Sequence, residues 1–88
     1  MNFNSIDDIE KRLNKLQNFP LKQIARNVGI AHFNAMRGNE LRIAILAIAN
    51  GELSPLPYNQ RQIMQPTLMF NQDIVDAVLT FSEANLNK

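Results

Sequence analysis

The sequence predicts an all-α fold, a small single domain of about four helices. Apolar residues recur at three- and four-residue spacing through four separate stretches, which is the period of a helix with one buried face. Gly29, Gly51 and a proline-bearing segment after Glu52 punctuate those stretches. The chain has 88 residues and no cysteine, so residues 1–88 are read as one core. Halves of about 44 residues would normally need disulfides or metal to stay folded.

The first helix is expected over about residues 6–18. Ser5 stands at a capping position, Asp7 and Asp8 lie near the positive end of the helix dipole, and Ile6, Ile9, Leu13 and Leu16 form one stripe. Lys11, Arg12 and Lys15 take the other side, and Phe19 packs as the chain turns. Pro20 suits the first turn of a second, short helix because its missing N–H falls where none is needed. Leu21, Ile24, Ala25 and Val28 supply that helix's apolar face. Gly29 ends it, since glycine takes the left-handed conformation at little steric cost and lets Ile30 fold back over the helix end.

Residues 31–38 hold no sustained period and read as an extended link anchored by Phe33 and Met36. Asn39 is expected to cap the third helix, in which Leu41, Ala44, Ile45 and Ile48 make one face and Ile43, Leu46 and Ala47 much of another. A helix with so few polar positions belongs at the centre, with the first two helices on one side and the carboxyl-terminal segment on the other. Residues 52–66 contain three of the four prolines and read as a connector with at most one helical turn near Gln60 to Met64. Asn71 can cap a last helix carrying Ile74, Val75, Ala77, Val78, Leu79 and Phe81.

The total charge of +1 selects no partner, but its distribution is uneven. Residues 11–42 hold seven basic groups against Glu40 alone, a concentration able to create a positive field if the fold gathers it. A conventional zinc site lacks ligands, with His32 the one histidine and no thiolate. Neither the serines nor the glycines stand in a nucleophile or phosphate-loop context, and Asp73 with Asp76 reads as a solvated stripe, so no catalytic residue, metal or cofactor is assigned. The longest apolar run, Ile43 to Ala49, is far shorter than the roughly 20 residues of a membrane-spanning helix. The early acids Asp7, Asp8 and Glu10 are unlike a secretory signal, which makes a cytoplasmic location the expectation.

One segment carries a more specific pattern. Leu21, Ile24, Ala25 and Val28 run into Gly29 and Ile30, and Met36, Arg37, Glu40 and Leu41 are followed by Ala44, Ile45 and Leu46. Residues 17–48 thereby resemble the amino-terminal helical domain of transcription terminator Rho and, more distantly, SAP and other helix-extended-helix modules. The resemblance implies a compact helical platform associated with nucleic acid. After residue 48 the patterning stays helical, where Rho-like proteins continue into an OB-type barrel. Gly38 and Asn39 stand where that family often has lysine or another polar residue.

Lys22, Arg26, Arg37 and Arg42 are the candidate phosphate contacts, because fixed cations near a backbone gain electrostatic energy and release counterions. His32 and Phe33 are candidates for base stacking, with a core wedge the competing role for Phe33 and an ordinary surface side chain for His32. A helix-turn-helix reading would need a recognition helix starting almost directly after Gly29. The alternative to nucleic-acid binding is a protein-binding adaptor or inhibitor, of the kind phages and mobile elements encode. Its interface, with a partner or a second copy, would use Tyr58, Leu68, Met69, Phe70, Val75 and Leu79.

Overall fold

Four α-helices and one turn of 3-10 helix make up the regular structure of residues 3–57 and 71–86, the part of the chain described by the computed structural model. They are α1 (Ile6–Leu13), α2 (Asn18–Val28), the 3-10 turn (Phe33–Ala35), α3 (Gly38–Asn50) and α4 (Gln72–Leu86). No strand occurs among the described residues. The expected all-α, four-helix architecture is therefore the one observed.

Helix α3 is the centre. It packs against α1, α2 and α4, most extensively against α4, and buries Leu41, Ile45, Ile48 and Ala49. Leu13 of α1, Leu21 and Ile24 of α2, and Ile74 and Val78 of α4 meet it with no solvent exposure. An eight-residue α1 and an eleven-residue α2 are below the length at which isolated helices persist in water, so this shared burial holds them.

Helix α1 stops five residues earlier than its apolar spacing suggests. After Leu13 the chain turns, with Lys15 N–H donating to Arg12 O and Leu16 N–H to Leu13 O at 3.1 Å each. Leu16 still packs on the core, so the side-chain pattern continues through a turn that is no longer helical. At the other end Ser5 is extended and its side chain makes no capping bond; Asp8 instead accepts from Asn4 N–H at 3.0 Å.

Helix α2 ends as the sequence indicates. Gly29 is left-handed at φ 89°, Ala25 O accepts the N–H groups of both Gly29 and Ile30, and Ile30 folds into the core at 3% exposure. The helix begins two residues before Pro20, at Asn18, leaving the proline within the first turn where backbone N–H groups have no helical partner. Its carboxyl end also meets the loop before residue 58, through Leu56 N–H donating to Gly29 O at 2.8 Å.

The link to α3 is only partly extended. His32 is left-handed at φ 60°, the 3-10 turn follows, and extended backbone is confined to Met36 and Arg37. Phe33 is buried and Met36 half-buried against the core, so both act as the anchors expected of them. No recognition helix follows Gly29 directly, since the next α-helix starts at Gly38. Asn39 lies inside the first turn of α3 rather than capping it, and its Oδ1 accepts from Arg42 Nη1 at 3.0 Å. Arg37 takes the capping position without a side-chain bond.

Helix α4 closes the bundle. Asn85 donates to Ala49 O at 2.8 Å, supplying a partner for a carbonyl in the last turn of α3. Arg12 and Asp73 join α1 to α4 by an ion pair at 3.2 Å, with both side chains partly exposed. The expected helical turn near Gln60 to Met64 lies outside the described residues. No helix among the described residues is long and apolar enough to cross a membrane.

Candidate nucleic-acid interface

Helix α2 has two stripes. Leu21, Ile24, Ala25 and Val28 turn into the core, while Phe19, Lys22, Gln23 and Arg26 follow one another at i, i+3, i+4 and i+7 along another face. The 3-10 turn packs beside that second stripe. Between them lies a half-open pocket of about 120 Å³, lined by Phe19, Lys22, Gln23, Arg26, Phe33 and Asn34.

Each lining side chain is held differently. Phe33 is buried, and the Arg26 guanidinium lies 5.1 Å from its ring centroid, within the range of a cation–π contact. Arg26 Nε is enclosed without a hydrogen-bond partner among the described residues. Lys22 Nζ donates to Asn34 O at 3.4 Å, drawing the ammonium toward the 3-10 turn. Gln23 is 7% exposed, yet its amide makes no hydrogen bond to a described residue. Phe19 is 68% exposed, an unusual position for a ring of that size.

The electrostatics favour an anion. Among the described residues no carboxylate lines the pocket, and α2 contains Lys22 and Arg26 and no acidic residue. Negative charge near this face would meet two cations whose contacts with protein are to a carbonyl and a ring rather than to a carboxylate.

The six residues proposed from sequence for nucleic acid do not form one set. Lys22, Arg26 and Phe33 come together in the pocket; Arg37 and His32 are exposed but do not line it. Arg42 is committed elsewhere, its Nε donating to Leu13 O at 3.0 Å and its Nη2 to Leu16 O at 2.8 Å. Together with the bond to Asn39, these use the guanidinium to close the turn after α1. Arg42 is thus placed as an internal brace, because only its planar fork reaches two carbonyls and an amide oxygen at once.

Of the residues proposed for a protein interface, Tyr58, Leu68, Met69 and Phe70 lie outside the described residues. Val75 is in the core at 2% exposure, and Leu79 is half-buried against it, because α4 turns its apolar face onto α3 and α2. Phe19, expected to pack as the chain turns, is instead exposed, and neither it nor Gln23 or Asn34 is among the site residues the sequence proposes. The signal for the first two was present in their spacing with Lys22 and Arg26 on the non-core stripe of α2; Asn34 required knowing that the link turns back beside that helix. Comparison of the chain with protein-family models, curated proteins and solved structures gives no match.

Proposed function

We propose that this chain is a non-enzymatic nucleic-acid-binding accessory or regulatory protein, contacting the phosphate backbone with Lys22 and Arg26 on the outer stripe of α2. The supporting observation is the convergence of these two cations with Phe19 and Phe33 on one pocket that no carboxylate of the described residues lines. Phosphates supply an anion every few ångströms along a strand, and neutralising them releases counterions. The resemblance of residues 17–48 to the Rho amino-terminal and SAP-like modules points to the same class of partner. Val75 and Leu79, meanwhile, offer little free area to the alternative of a protein-binding adaptor.

Fluorescence anisotropy with labelled oligonucleotides across a salt series tests the reading. Charge reversal at Lys22 and Arg26 is expected to weaken binding to unrelated sequences alike. Each lost phosphate contact should flatten the slope of log K against log salt by about 0.7 to 0.9. Lys22 is only partly buried, so unchanged circular dichroism is expected for its reversal, whereas Arg26 also covers the Phe33 ring and its reversal is read together with the urea midpoint. Absence of salt-dependent binding, or reversal variants that bind as the parent does, would refute it.

A further inference from the structure

We propose that the pocket between α2 and the 3-10 turn receives one unpaired nucleobase, so that the ligand is single-stranded. This rests on the phosphate-binding reading and adds the strand class to it. The pocket is half-open and measures about 120 Å³. That is less than the engineered apolar cavity of about 150 Å³ that encloses a benzene ring, so a planar ring enters it in part and leaves the remainder at the open mouth beside Phe19. A base within a duplex is stacked on both faces and reaches such a recess only after extrusion, whereas an unpaired base reaches it without that cost.

The lining matches such a ring part by part. Phe33 is fixed as a wall by its burial and by Arg26 above its face, and Phe19 offers an exposed aromatic surface at the mouth. The exposed face of Phe19 can stack on any base, which is how sequence-tolerant single-strand binders gain affinity, while Phe33, with Arg26 over its ring, serves as wall rather than stacking face. Gln23 and Asn34 add carboxamides, each with donors and an acceptor, and neither amide is engaged by a described residue. Those groups pair with the polar edge of a base, a feature exposed when the base is unpaired. Lys22 and Arg26 line the same pocket and meet the strand's phosphates. An aromatic segment of a protein would fill the ring space too, but it meets these two cations only where carboxylates flank its ring, whereas every nucleotide in a strand brings its phosphate.

The chain contains no tryptophan, which permits a direct readout. In the full-length protein, Phe19→Trp introduces a lone indole at the pocket, and its fluorescence is expected to be quenched by a single-stranded 12-mer and left unchanged by the same sequence as a blunt duplex. Anisotropy is expected to show Phe19→Ala weakening single-strand affinity by roughly 5- to 150-fold, the range of one stacked base, with duplex affinity unaltered. Because Phe19 is mostly exposed, the urea midpoint of both variants should stay close to the parent's. Equal affinity for single strand and duplex, or single-strand binding unaffected by Phe19→Ala, overturns the base pocket; if the Lys22 and Arg26 reversals still weaken binding, phosphate contact stands without it. Absence of binding to either oligonucleotide overturns both.

Discussion

Replacing Arg42 separates a structural cation from a ligand-binding one. The guanidinium donates at 3.0 Å to Leu13 O and at 2.8 Å to Leu16 O, both in the turn that ends α1, and at 3.0 Å to Asn39 Oδ1 within its own helix. A hydrogen bond with one charged partner contributes about 1.5 to 3 kcal/mol net where it is sheltered. Two such bonds in a partly buried setting amount to about 2 to 4 kcal/mol, with the exposed Asn39 contact adding little. Arg42→Ala should therefore lower the unfolding free energy by that amount, and the melting temperature by at least about 8 °C in a domain of this size. Arg42→Lys should recover only part of the loss, since an ammonium does not reproduce the fork that spans two carbonyls. Urea denaturation followed by far-ultraviolet circular dichroism measures both variants. A loss below about 0.5 kcal/mol for Arg42→Ala would refute the brace. So would a variant of parental stability with weakened oligonucleotide binding, which would return Arg42 to the phosphate surface.

Two further substitutions test how the helix ends and the core are built. Gly51 closes α3 at φ 81°, and an added Cβ would lie 2.9 Å from Asn85 Cβ, so Gly51→Ala should cost about 2 to 4 kcal/mol by urea titration from left-handed strain and overpacking together. A loss under about 1 kcal/mol would mean that α4 moves aside freely. Ser82 Oγ is buried without a hydrogen-bond partner among the described residues, so Ser82→Ala should stabilise the protein by about 1 kcal/mol through removal of a dry hydroxyl and a better helix former. A lower melting temperature by calorimetry would show that the hydroxyl is satisfied after all.

What could be read from sequence was what neighbouring residues decide together. The end of α2 at Gly29 and the return of Ile30 depend on a glycine, its left-handed backbone and the preceding apolar stripe, all within a few residues. The central place of α3 likewise follows from its own composition. The premature end of α1 does not: Leu16 keeps the helical spacing, and the turn is braced by Arg42, 26 residues further along the chain. Val75 and Leu79 show the same limit from another side. Their spacing defines an apolar face, but the arrangement of α3 and α2 decides that this face is filled from within. The candidate site was half legible for a related reason: Lys22 and Arg26 announce themselves by charge, whereas Phe19 looks like any core residue until its neighbours leave it uncovered.

The two stripes of α2 also determine which variants separate binding from folding. An eleven-residue helix has little stability of its own, so the spacing of Phe19, Lys22, Gln23 and Arg26 is maintained by Leu21, Ile24, Ala25 and Val28 on the buried face. Phe33 serves both sides, walling the pocket while buried in the core, so its truncation would remove packing and binding surface together. Arg26 is intermediate, since moving it also uncovers the Phe33 ring. Phe19 and Lys22 project from the helix without contributing to the buried cluster, and their contacts can be removed while α2 stays anchored. A loss of oligonucleotide affinity at those two positions, with the unfolding transition unmoved, therefore reports on the surface itself.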